Sequence, residues 1–200
     1  SCQVGVESTV VNLIEDRPVV LRPGGITREE ISRVIGEKVT MNTESEKEAP
    51  SSPGMKYRHY SPSTPVRLLK KEDLIDLKTI YQQFQGLKIA LVVTTETKTK
   101  INQQLSNQQS GKSTEKSVEN KNVKNMEKNK LDIFFSKIIF KTMGSSNDFQ
   151  EIARNLFSLL RDLDQEDIDL ILVETVKEIG LGEAIMNRLH KAAANDIYLD

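Results

Sequence analysis

Two apolar runs do most to limit what this chain can fold into: residues 88–94, Lys-Ile-Ala-Leu-Val-Val-Thr, and residues 168–173, Ile-Asp-Leu-Ile-Leu-Val. Neither alternates polar with apolar, so each needs cover on both faces, as a strand inside a parallel sheet does. Helical patterns separate such runs. Leu74, Leu77, Ile80, Tyr81 and Phe84 mark one apolar face, and residues 149–163 are strongly amphipathic. Residues 66–69 and 133–140 read as further strands, and Asn147 with Gln150 as the cap of the long helix. Gly180-Leu181-Gly182 opens a last helix carrying Ile185, Met186 and Leu189. Strands alternating with helices predict a small parallel α/β domain, Rossmann-like in layout.

One segment interrupts that regularity. Residues 96–130 hold eight lysines, six asparagines and only five apolar residues, too few for a core, and read as a disordered insertion in which Ile101 and Leu105 extend a helix briefly. Gly111-Lys112-Ser113-Thr114 imitates the end of a phosphate loop, but the glycine required five residues earlier is Ser106. The acidic run Asp162, Asp164, Glu166, Asp167 and Asp169 lacks calcium-loop spacing and reads as a solvated turn. His59 and His190 are the two histidines, too separated for a recognisable zinc site.

Before residue 40 the pattern is different. Residues 4–14 are rich in β-branched residues and read as a strand, yet Glu7, Ser8 and Thr9 stand in its middle. The hydroxyls are either satisfied sheet positions or a pair facing a ligand. A turn leads to a second strand, residues 19–22, whose last residue, Arg22, directly precedes Pro23-Gly24-Gly25. An arginine there can fork two donors onto a phosphate or carboxylate, or simply lie on the surface. Thr27 and Glu30 form a capping box, Ile26 and Ile31 a hydrophobic staple, and Ile31, Val34 and Ile35 an apolar stripe ending at Gly36.

Between these regions lies a strip, residues 51–62, reading Ser-Ser-Pro-Gly-Met-Lys-Tyr-Arg-His-Tyr-Ser-Pro. Its prolines favour extended backbone, and it presents Lys56, Arg58, His59, Tyr57 and Tyr60 with almost nothing apolar to bury. It suits an anionic or planar ligand, or serves as an interdomain linker. His59 can donate to a phosphate or stack on a ring.

A net charge of −1 with 28% charged residues does not advertise a polyanion partner. The lone Cys2 offers no internal disulfide framework, and no apolar run approaches the ~20 residues of a bilayer span, so no membrane association and a cytoplasmic setting are expected. The chain opens at Ser1 and meets a motif almost at once, which reads as a fragment.

The strip resembles the interdomain linker of the long, two-domain L-threonylcarbamoyl-adenylate synthases, whose first domain is YrdC-like. Three stretches agree in order and spacing: Val4-Gly5-Val6-Glu7-Ser8-Thr9-Val10-Val11, Leu21-Arg22-Pro23-Gly24-Gly25-Ile26-Thr27, and the run from Gly180 to Leu189. The resemblance implies that residues 1–40 end a YrdC-like catalytic domain, 41–65 form a linker or lid, and 66–200 an accessory domain. It implies an enzyme combining L-threonine, bicarbonate and ATP, with Mg2+, into threonylcarbamoyl-adenylate and pyrophosphate. The product would pass to a downstream transferase modifying adenosine 37 of tRNA. Ser8, with Thr9 as a neighbour, would bind threonine; Arg22 and Tyr60 the nucleotide; Lys56, Arg58 and His59 would belong to the lid. The family's Lys-x-Arg and Ser-x-Asn catalytic motifs would lie upstream, leaving the fragment alone inactive and no catalytic residue within it. The competing readings are a non-enzymatic nucleotide- or partner-binding α/β module with a tether, and a weak RNA-binding domain.

Overall fold

The computed structural model describes residues 5–14, 16–42, 62–110 and 121–193, with the side chains of 108–110 and 121–128 outside that description. Strand β1 (Val10–Asn12) pairs antiparallel with β2 (Val19–Arg22). Helix α1 (Arg28–Ile35) follows, and β3 (Thr40–Met41) then lies parallel to β2. The first strand is shorter than the sequence pattern predicts. Residues 7–9 run without ladder pairing because their polar groups bond elsewhere: the Glu7 carbonyl accepts from the Gly25 amide at 2.9 Å.

Helix α1 begins as its capping box dictates. Thr27 Oγ1 accepts from the Glu30 amide, the Glu30 carboxylate accepts from the Thr27 amide, and Gly36 closes the helix at φ 75°. Yet none of its residues is buried, and Val34 is 86% exposed.

The second sheet has the order β4-β7-β5-β6 and is parallel throughout. Its elements run β4 (Val66–Leu69), α2 (Lys71–Ile75), α3 (Leu77–Phe84), β5 (Ile89–Thr94), α4 (Thr95–Ser110), α5 (Lys121–Ser136), β6 (Ile139–Gly144), α6 (Phe149–Leu163), β7 (Leu170–Glu174) and α7 (Leu181–Ala193). Side chains alternate across it, as a period of two requires. Ala90, Val92, Ile171 and Val173 pack beneath α6 and α7, whereas Ile89, Leu91, Val93, Leu170 and Leu172 pack beneath α3, Ile101 of α4 and Phe135 of α5. The unbroken apolar runs are therefore central strands with a helical layer on each face, and the expected parallel α/β architecture is observed.

Three local expectations need correction. The composition of residues 96–130 predicts disorder apart from a brief helix at Ile101 and Leu105, yet the helix runs over 95–110 and residues 121–130 begin α5; Ile101 is wholly buried, and Glu96 accepts from the Ser145 hydroxyl and the Ser146 amide. Ile101 in the core, Leu105 packed against it, and the polar tie of Glu96 anchor residues 95–110, whose composition is otherwise polar. Residues 133–136 end α5 rather than begin a strand, so that Phe135 faces the core and β6 starts only at Ile139. The cap of α6 is Asp148, whose carboxylate accepts from the Glu151 amide, rather than Asn147. The residues around the Gly111-Lys112-Ser113-Thr114 sequence lie outside the described residues.

Candidate functional site

The β1–β2 ladder shifts register between Val10 and Val11, so Arg22 lies opposite Val10 while Val20 lies opposite Val11. A bulge of this kind re-aims the neighbouring side chain. Arg22 turns along the unpaired residues 7–9: its Nη2 donates to the Ser8 carbonyl at 3.0 Å and to Ser8 Oγ at 3.3 Å, and its Nε to the same carbonyl at 3.3 Å. Its Nη1 stands 3.4 Å from Glu7 Oε2, and the arginine side chain is 13% exposed. Ser8 and Arg22, singled out separately in the sequence, thus share one place.

The turn after Arg22 packs under residues 7–9 with no spare room. A Cβ on Gly24 would lie 2.3 Å from the Glu7 carbonyl and 2.3 Å from the Thr9 amide. Thr9 serves the same turn, because its Oγ1 donates to the Ile26 carbonyl at 2.5 Å and accepts from the Ile26 amide at 3.2 Å. Its hydroxyl is committed to backbone. The α1 amino terminus is likewise occupied by the Glu30 carboxylate, which the Thr27 donors hold below the ordinary glutamate range.

The second half of the molecule adds charge here. Arg188 of α7 donates from Nη2 to Glu7 Oε1 at 3.1 Å, and its guanidinium lies 3.3 Å from the centroid of the Phe157 ring on α6. Burial pushes the Lys191 ammonium below the usual lysine range; Glu7 opposes that shift, while Arg22 and Arg188 add to it. Three cations therefore gather about one carboxylate, and an anion arriving there meets a favourable field. A second tie runs from Arg28 Nη2 to Glu183 Oε1 at 2.7 Å. Glu7 as the partner of Arg22, and Arg188 and Lys191 as cations near the same carboxylate, were not legible in the sequence, although Glu7 and Arg188 stand inside the quoted motifs.

In open α/β sheets, ligands commonly bind outside the carboxyl ends of the strands. In this molecule carboxylates already use donors at that edge. Glu174, 3% exposed, accepts from the Thr94 amide at 2.7 Å and from the hydroxyls of Thr94 and Thr97. Glu151 accepts from the Ser145 amide, and Glu96 from Ser145 and Ser146, which hold its pKa at about 2. A phosphate approaching there would meet negative charge.

Lys56, Arg58, His59 and Tyr60 lie outside the described residues. His190 is exposed in the last turn of α7. Within the acidic run, Asp164 accepts from Ser63 Oγ and the Thr64 amide, and Asp169 from the Lys88 amide. These are structural ties between segments. Among the described residues no group of three or more potential ligands is placed to hold a metal ion, and Glu7 is engaged by two arginines. Among the described residues no carboxylate cluster therefore fits Mg2+. No helix among the described residues is long and apolar enough to cross a membrane.

Residues 26–194 match the family described as "Threonylcarbamoyl-AMP synthase, C-terminal domain". Curated relatives named Threonylcarbamoyl-AMP synthase include one from Schizosaccharomyces pombe, 39% identical over 97% of this chain and 43% of its own length. Another, from Bacillus subtilis, is 33% identical over 97% of this chain and 47% of its own. The solved structure of P. abyssi Sua5 complexed with L-threonine shares 33% identity and a TM-score of 0.63, covering 96% of this chain and 47% of that one. The chain therefore spans a little under half the length of the relatives it matches. It belongs to the threonylcarbamoyl-AMP synthase C-terminal domain family.

Proposed function

We propose that this chain is the carboxyl-terminal part of an enzyme that joins L-threonine, bicarbonate and ATP into threonylcarbamoyl-adenylate and pyrophosphate. The observation that carries the reading is the Ser8–Arg22 pair. It is built on a bulged hairpin, fitted against Gly24 and set among cations, in a chain whose curated relatives bear that enzyme's name. In this reading the end of β2 belongs to a YrdC-like catalytic domain reaching to about residue 40, residues 41–65 form the linker, and residues 66–200 the accessory domain.

The chemistry asks for placement and charge neutralisation. The threonine amine attacks the bicarbonate carbon, a C–O bond breaks and water leaves, giving a carbamate; its oxygen then attacks the α-phosphorus of ATP, and the bond to the bridging oxygen breaks, pyrophosphate leaving with the electron pair. Arg22, with five donors in a rigid fork, supplies positive charge to the phosphates. Ser8 orients threonine, with Thr9 holding the turn beside it. Lys56, Arg58 and His59 close over the site as a lid that excludes water, and Tyr60 contacts the nucleotide. The product passes, in the cytoplasm, to a transferase that modifies adenosine 37 of tRNA. Mg2+ would travel with the ATP phosphates, and any RNA contact is weak. The upstream motifs of the family are required, so the chain alone is inactive.

Pyrophosphate release tests this directly, with the 200-residue chain and with the gene product read from its initiating methionine. Threonine-dependent release from the complete product alone is the expected result. Folded protein with no release from either would overturn the assignment.

A further inference from the structure

Residues 7–9 carry Ser8 without a ladder to hold them, so their place is set by what grips the segment on either side. On one side is the turn, where the Gly25 amide donates to the Glu7 carbonyl and Thr9 Oγ1 donates to the Ile26 carbonyl. The other side is keyed into the second half of the molecule. Gly5 stands at φ 70° against α6, where a Cβ would overlap the Ala153 carbonyl oxygen and lie 2.5 Å from Arg154 Cα. Those atoms are helix backbone, so no side-chain movement makes room. Val6 is buried in the core that Ala153 and Leu156 of α6 share with Ile185 and Leu189 of α7. Arg188 of α7 then holds Glu7 Oε1 at 3.1 Å. Residues 5–7 thus rest on one helix pair, and the chain leaves it at Ser8, which is exposed. Ser8 Oγ accepts from Arg22 and keeps its own proton to donate.

We infer that Gly5 and Val6 are positioning residues for the amino-acid substrate: seated on α6 and α7, they fix where the Ser8 hydroxyl is presented. This rests on the reading of Ser8 as the threonine contact given above, and it makes the accessory domain the template of that contact. The lead from Gly5 to Ser8 is short and packed, so a displacement at Gly5 passes to Ser8 instead of dissipating in a loop. A shift of about 1 Å is enough to lose a hydrogen bond to a bound ligand.

The test is L-threonine affinity, measured by titration calorimetry on the full-length protein, with melting temperature followed in parallel. Gly5→Ala should weaken threonine binding about tenfold, the scale of one misplaced hydrogen bond to a charged ligand. Two controls lose stability without moving residues 5–8. Gly36→Ala has a similar φ of 75° with open space around the new Cβ, and Leu172→Ala empties the opposite face of the four-stranded sheet; both should bind threonine within about twofold of wild type. A merely structural Gly5 predicts the pattern of the controls, a lower melting temperature with affinity kept. A loss below about threefold in folded Gly5→Ala, or an equal loss in the controls, would overturn the inference. If Gly5→Ala does not fold, Val6→Ala decides: binding weaker by about threefold or more supports the inference, and a smaller change overturns it. Ser8→Ala separates the two layers of argument. Unchanged threonine affinity in Ser8→Ala would remove the site reading and this inference together. Weakened affinity in Ser8→Ala with no effect at Gly5 or Val6 would remove the inference alone.

Discussion

The two sheets of this molecule are held by different physics. The four-stranded sheet buries Leu91, Val92, Ile171 and Leu172 completely, between helices on both faces. The three-stranded sheet has Val20 as its one wholly enclosed strand residue among the described residues, while Leu13, Ile14, Val34 and Ile35 stand exposed. What orders it is polar: the Thr27–Glu30 box, the Arg22–Ser8 contact, and ion pairs reaching Arg188 and Glu183. Apolar burial specifies a fold with little regard to ligand, whereas directional polar contacts specify the place of individual side chains. The candidate site lies in the second kind of region, leaning on the first.

The contrast can be broken from either side. Leu172→Ala, at a wholly buried position, should cost about 3 kcal/mol or more in urea unfolding, while Val34→Ala should stay within about 0.5 kcal/mol. Equal costs would mean that α1 packs as tightly as the central sheet. Gly24→Ala should act mainly on function, lowering threonine-dependent turnover of the complete enzyme about a hundredfold through displacement of the Glu7–Thr9 backbone. Glu174→Ala strands the Thr94 amide and leaves the Thr94 and Thr97 hydroxyls only their contacts with each other and the Thr97 amide, and should lower stability by about 2 kcal/mol with no loss of ATP affinity.

A smaller effect than these losses is a pH dependence. Glu96, held at about 2 by Ser145 and the Ser146 amide, binds a proton less readily folded than unfolded. Its contribution is therefore full above about pH 5 and is lost as pH falls from the ordinary glutamate range towards 2. Glu96→Gln should flatten the acid limb of a stability profile by about 1 kcal/mol, solvent screening of a half-buried group being allowed for.

The same division explains what could be read from the sequence. Residues 88–94 and 168–173 announce central parallel strands because burial on both faces leaves a mark at every position. The capping box at Thr27 was legible because it is local. The helix at 95–110 was legible only as a brief turn at Ile101 and Leu105, since its full length hangs on Ile101 in a distant core and on Glu96 meeting Ser145, 49 residues away. Ser8 and Arg22 were each visible as polar residues at strand positions, but the bulge that joins them leaves no pattern. Glu7 with Arg188 was harder still: the partners are 181 residues apart, and neither residue type at its position is unusual.

Hydrogen exchange of the full-length protein, with and without ATP and L-threonine, tests the central claim most directly. The account predicts ligand-dependent protection concentrated at residues 7–12 and 20–27, with residues 94–97, 144–146 and 174–177 unchanged. Protection at the carboxyl edge of the four-stranded sheet, with the hairpin unaffected, would contradict it and place the ligand where Glu96, Glu151 and Glu174 now bind the backbone and hydroxyl donors.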